Sequence, residues 1–252
     1  MYYDPNLKPN NSPQEKYTFS YEPLGEKLSP FNVISIIIVT LLYCVVLDEV
    51  LFLLLPNLSD SLLLFLRMVI CSIILILTCF KFLRRSFKAF ITSIKSNLKT
   101  VFIFFALSYL VSFITAIPIV FTDFEQSLNQ SGVDSLILES PILVFISSAI
   151  LAPLCEELIF RGLFFRSIYD KHPIIAYLLT FFTFGFIHIM FAIFTGNFAE
   201  ILYLPLYGGL GVCMAAAYAR SKNIWCAISI HFLRNSTAVL MNILLSSAVS
   251  NL

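Results

Sequence analysis

Charge is scarce in this chain. Only 12% of its 252 residues are charged, against 59% hydrophobic, and the mean hydropathy is +0.89. A soluble domain carries roughly 25% charged residues, so the shortage excludes a single aqueous core. The apolar residues lie in runs of about the 20 residues that cross a bilayer as helix. No alternating polar and apolar pattern is present, which excludes a membrane barrel. Six cysteines (Cys44, Cys71, Cys79, Cys155, Cys213, Cys226) sit inside apolar runs without CxxC or metal-type spacing. They read as small hydrophobes, neither a disulfide framework nor a zinc knuckle. No basic domain is available for nucleic acid. No inverted repeat of the transporter kind is visible. A short apolar run behind a basic start is also missing, so no cleavable signal peptide is expected.

What is present is a polytopic pattern. Residues 1–30 are polar, with Pro and Asn, and are expected to form a cytosolic tail. Apolar runs follow at about Val33–Leu55, Leu62–Leu83, Val101–Phe121, Pro141–Tyr169, Pro173–Phe194, Glu200–Ala219 and Ile224–Ser247. The expected fold is an all-α membrane helical bundle of seven to eight transmembrane helices, because backbone groups in hydrocarbon must be paired within each segment. Three regions are expected: the tail 1–30, N-terminal transmembrane helices over 31–125, and a helical core over 140–248. Lys81, Arg84, Arg85, Lys88, Lys95 and Lys99 form one basic connection, whereas Asp123, Glu125, Asp134 and Glu139 form one acidic connection. Basic connections face the cytosol, which places the N-terminus inside and the 122–139 loop outside. Gly208, Gly209, Gly211, Ala215 and Ala219 give the sixth run a small-residue stripe for close helix packing.

Ionisable groups inside apolar spans are costly and ask for a partner or a function. The segment LAPLCEELIFRGLFFR contains Glu156, Glu157, Arg161 and Arg166. Glu157 and Arg161 are four apart with the acid first, so they face each other on a helix. Glu156 points about 100° away and lacks that cation. A desolvated carboxylate of this kind is suited to take and return a proton near neutrality; a structural ion-pair network is the alternative. Of three histidines, His172 falls in a turn, while His188 and His231 lie inside apolar runs, and Asn235 follows His231 by one helical turn. Counted along antiparallel helices from the turn near Lys171, Glu156 and His188 come level at roughly 22–26 Å. His231 fits that level less well. In the first two runs, Asp48 or Glu49 is expected to pair with Arg67 across a helix hairpin, as a structural contact.

The pattern Glu156-Glu157-xxx-Arg161, then Phe184-xxx-His188, then His231-xxx-Asn235, resembles the CPBP family of intramembrane proteases, also called the type II CAAX prenyl protease or ABI family. The resemblance covers about residues 140–240; the first three runs match only as generic membrane helices. It implies a helical bundle around a cavity open to the cytosolic side. It also implies an endopeptidase in which Glu156 activates water, His188 helps hold that water, His231 and Asn235 stabilise the oxyanion, and Glu157 and Arg161 brace the site. No metal or other cofactor is expected, since no HExxH helix is present. Zinc is the alternative, because a Glu/His/His set can bind it. The compact size suggests a bacterial member in the cell membrane. Its expected partners are the lipid bilayer and a peptide or membrane-protein substrate cleaved near the cytosolic face, in peptide maturation or bacteriocin self-immunity. A non-catalytic membrane scaffold or immunity protein of the same fold is the main rival, and a proton-coupled transporter a lesser one.

Overall fold

The computed structural model describes Leu24, residues 28–122 and residues 126–250, with side chains through 245. The polar tail expected over 1–30 therefore lies almost wholly outside the described residues, as do Asp123 and Glu125. Among the described residues there is no strand. Eight helices follow one another: α1 Pro30–Leu54, α2 Asp60–Thr92, α3 Ile94–Val120, α4 Leu128–Glu139, α5 Pro141–Tyr169, α6 Pro173–Phe194, α7 Phe198–Ser221 and α8 Ile224–Ser250. All except α4 are long and apolar enough to cross a bilayer. The chain is an all-α, multi-pass membrane protein with seven such helices among the described residues.

Local chemistry sets the helix starts. Ser29 Oγ accepts from the Asn32 backbone N–H while the Asn32 side chain accepts from the Ser29 N–H, a reciprocal cap with Pro30 directly behind it. Ser59 and Ser127 cap α2 and α4 in the same manner, by accepting from the backbone N–H three residues on. Pro141 and Pro173 open α5 and α6, where a missing N–H is harmless. At the end of α7, Lys222 takes the left-handed conformation (φ 55°) and donates its N–H to Tyr218 O.

Two connections differ from the expected loops. The basic stretch Lys81–Lys99 is helical almost throughout: α2 continues to Thr92 and α3 begins at Ile94. Lys and Arg favour helix, and the stretch contains neither Gly nor Pro to stop it. Buried Asn97 closes the corner by donating to Phe90 O at 2.9 Å. The acidic stretch is likewise no open loop. Its residues 128–139 form α4, which packs on α2, α5, α6 and α8. Ile137 is buried against Val144 and Val239.

The main core joins side chains from α1–α3 and α5–α8. The small-residue stripe of α7 packs as its composition predicts. A Cβ on Gly208 would lie 2.6 Å from Phe181 O, and one on Gly211 would lie 2.9 Å from Phe184 Cβ. On the other side, a Cβ on Gly209 would lie 2.6 Å from Val111 Cγ1. Glycine thus lets α7 press against α6 and α3 together. That close approach carries Tyr207 to His188 and brings Gly211 O within reach of Arg161.

Candidate active site

Residues Ala152–Glu157 are regular α-helix between two stretches with wider, i→i+5 turns, Phe145–Leu151 and Leu158–Phe165. Wide turns of this kind are rare and concentrate at functional sites. Glu157 and Arg161 are fully buried, and Arg161 Nη1 donates to Glu157 Oε1 at 3.0 Å. The i,i+4 pair is therefore present as the spacing indicates. Arg161 Nη2 also donates to Gly211 O at 2.7 Å, and the guanidinium lies 4.7 Å from the Phe184 ring centre. Glu157 has a second partner that spacing did not reveal: His231 Nδ1, at 2.8 Å from the same Oε1.

Glu156 lines a cavity of about 1000 Å³ together with His188, His231 and Asn235. Its Oε1 accepts from the Tyr43 hydroxyl at 2.7 Å. Its Oε2 is buried without a hydrogen-bond partner, and His231 Nε2 stands 3.9 Å from it. That separation is too long for a direct hydrogen bond and is within reach of one bridging water. His188 Nδ1 is 2.7 Å from Phe184 O. A carbonyl only accepts, so Nδ1 carries the proton and, in the neutral ring, Nε2 keeps its lone pair. The His188 ring stacks on Tyr207 at 4.5 Å between centres. Asn235 Nδ2 donates to Ser148 O at 2.7 Å, which occupies one of its two amide hydrogens. His172 is exposed at the start of α6 and does not line the cavity.

Sequence reasoning missed Tyr43 and Tyr207. Tyrosines are common in membrane spans, and neither carries a motif; only the three-dimensional pairing singles them out. Arg67 was expected to pair with Asp48 or Glu49, and the partner is Asp48, through Arg67 Nη1 and Asp48 Oδ2. The pair is less remote from the site than expected. The Arg67 guanidinium lies 5.2 Å from the ring centre of Tyr43, whose hydroxyl holds Glu156.

Exposed Gln126, Leu128 and Asn129 line the cavity at the acidic end of the bundle, and exposed Phe113, Val120 and Phe191 line it from α3 and α6. Ser127 Oγ is 2.5 Å from Tyr207 Oη, and Leu128 N donates to Glu200 Oε1 at 2.9 Å, so the start of α4 is anchored beside the cavity. By the charge pattern read from the sequence, this end is the one expected outside. Two expectations therefore exclude one another in this fold: a cavity open to the cytosol and cytosolic basic helix ends. As for metal, among the described residues no three His, Cys, Asp or Glu side chains converge as a metal site requires.

Residues 138–237 match the family model described as type II CAAX prenyl endopeptidase Rce1-like. This match is confined to the stretch from the end of α4 into α8. Among curated proteins it is 32% identical over 119 residues to one named "Putative membrane peptidase YdiL" of Bacillus subtilis (strain 168), covering 47% of this chain and 44% of that protein. It is 29% identical over 107 residues to "Membrane-embedded CAAX protease MroQ" of Staphylococcus aureus (strain USA300), covering 41% and 40%. It is 26% identical over 132 residues to "UPF0177 protein YvdC" of Lactococcus lactis, covering 52% and 48%. The chain thus spans less than half the length of the curated relatives it matches. No solved structure matches it.

Proposed function

We propose that this chain is an intramembrane endopeptidase of the cell membrane, hydrolysing a peptide bond in a membrane-associated peptide or protein. The observation that carries the reading is Glu156: a buried carboxylate that lines the cavity, with one oxygen fixed by Tyr43 and the other buried, unpartnered and 3.9 Å from His231 Nε2. The match of residues 138–237 to the Rce1-like family model and the names of the relatives support the same reading.

In this mechanism Glu156 Oε2 takes a proton from a water held between it and the imidazoles. His188 helps hold that water, since its Nε2 lone pair can accept a hydrogen. The water oxygen bonds to the scissile carbonyl carbon, and the C=O electrons move to oxygen. His231 and the free amide hydrogen of Asn235 stabilise that oxyanion, a task for which preorganised donors in a dry site are effective. His231 donates through Nε2 when the ring carries both protons, with Nδ1–H held by Glu157. Glu157 is braced in turn by Arg161. Glu156 then passes its proton to the leaving nitrogen as the C–N bond breaks.

The test is comparative peptide profiling of cells carrying the native protein or Glu156→Gln. Cleavage products absent only in the variant are expected. If Glu156→Gln retains every product and the full cellular phenotype, the protein is a non-catalytic scaffold of this fold and the proposal fails.

A further inference from the structure

The cavity holds a second charged group that the hydrolytic steps do not use. Arg234 and Asn235 follow His231 by three and four residues, so each neighbours it on the surface of α8. All three line the same cavity. Arg234 is about 4.5 Å further along the helix axis than His231, on the side toward the cavity-lining residues 126–130. Its Nη2 donates to Ser112 Oγ at 3.1 Å, and its guanidinium lies 4.0 Å from the Tyr109 ring centre. Nη1 is buried with no hydrogen-bond partner. The other cation of the lining, Arg67, has Asp48. Among the described residues Arg234 has no carboxylate.

A cation at membrane depth without an anionic partner is expensive. Here it is also held in place, by a hydroxyl on one side and an aromatic face on another. A planar guanidinium so positioned matches a carboxylate in geometry and charge. We propose that Arg234 is a substrate-recognition residue that receives a carboxylate of the peptide being cleaved. The proposal rests on the endopeptidase reading and gives it a substrate class. An extended chain advances at most about 3.6 Å per residue, so the carboxylate lies within about two residues of the scissile bond. The carboxylate is either the free C-terminus of the peptide or an Asp or Glu side chain, and the two sources are separable by experiment.

The probe is a fluorescein-labelled pool of apolar nonapeptides in three forms: free C-terminus without acids, amidated C-terminus with one Glu, and amidated C-terminus without acids. Binding is measured by anisotropy to the full-length Glu156→Gln protein in lipid nanodiscs, which needs no turnover. At least one carboxylate form is expected to bind on the order of tenfold more tightly than the amidated, acid-free form; whichever form binds names the source. Adding Arg234→Gln should abolish that difference while leaving the acid-free form unchanged, and Arg234→Lys should restore it in part. Equal binding of all three forms to the Glu156→Gln protein overturns the proposal, as does an undiminished preference in a folded Arg234→Gln protein. Failure of the native protein to cleave any peptide would count against the endopeptidase reading instead, because the binding comparison stands without it.

Discussion

Tyr43 donates its hydroxyl hydrogen to Glu156 Oε1 at 2.7 Å, joining α1 to α5 across 113 residues of sequence. The bond leaves Glu156 with one occupied and one available oxygen, which orients the carboxylate toward the cavity. Tyr43→Phe keeps the ring beneath Arg67 and removes only the donor. A hydrogen bond to a charged group contributes about 1.5–3 kcal/mol, so the turnover of a cleaved peptide should fall on the order of ten- to a hundredfold. Thermal unfolding should change little. Unaltered turnover would show that Tyr43 does not position Glu156.

Arg161 neutralises Glu157 inside the protein, where both are fully buried. Arg161→Ala leaves an uncompensated carboxylate and frees Gly211 O. Breaking a buried pair from one side costs about 3–5 kcal/mol. The variant should therefore accumulate poorly or melt far below the native protein in detergent. The double variant Arg161→Met with Glu157→Gln removes both charges and should recover much of the stability. It should not recover activity, because His231 Nδ1 then loses its carboxylate. Melting curves and peptide turnover on the two variants separate these outcomes.

Much of this arrangement was legible in the sequence. The spans were readable because hydrocarbon demands long apolar runs, and the Glu157–Arg161 and Asp48–Arg67 pairs because charge inside such runs needs a partner. Glu156, His188, His231 and Asn235 do share one cavity. Helix α4 was not expected, because the stretch is short, polar at its start and interrupted by Gly132, although Val133, Leu136 and Ile137 stand at i, i+3, i+4. The second partner of Glu157 was hidden for another reason. It comes from α8, 74 residues away, and no spacing rule reaches that far. The depth of His231, awkward by residue counting, is resolved by contact with Glu157 in preference to Glu156.

Exchanging the charges of the hairpin pair tests Asp48 and Arg67. Arg67→Glu places two acids together and should lower stability on the order of 1 kcal/mol, since Asp48 is more than half exposed. Adding Asp48→Arg should restore part of that loss. Turnover should remain reduced in the double variant, because the cation that sits over Tyr43 is gone. No recovery of melting temperature in the double variant would count against the pairing.

Helix α4 is tied to the start of α2 through Glu139, whose Oε2 accepts from Ser61 N at 3.1 Å. The Ser59 hydroxyl and the Ser61 N–H hold its carboxyl below the usual value of 4.5. A depressed folded value means that this contact contributes fully above about 4.5 and is lost as pH falls through the folded value. Amide exchange in 128–139, corrected for intrinsic rates, should accelerate relative to α2 only below that point. Glu139→Gln should remove the difference between the two pH regimes. Exchange that is indifferent to both acid and substitution would mean that another contact docks α4.

The orientation of the cavity follows from two facts that can be tested together. Exposed Asn129 lines the cavity, and the opposite ends of the bundle carry Lys81, Arg84, Arg85, Lys88, Lys95 and Lys99. Positive charge is retained on the cytosolic side during insertion, so Asn129 should face outward and substrate should enter from outside. A cysteine placed at Asn129 should react with a membrane-impermeant maleimide on intact cells, whereas one placed at Lys88 should react only after the membrane is opened. The native cysteines give little background, since all but Cys44 are buried. The reverse labelling pattern would invert the protein, put the cavity in the cytosol, and show that the basic helix ends do not set its topology.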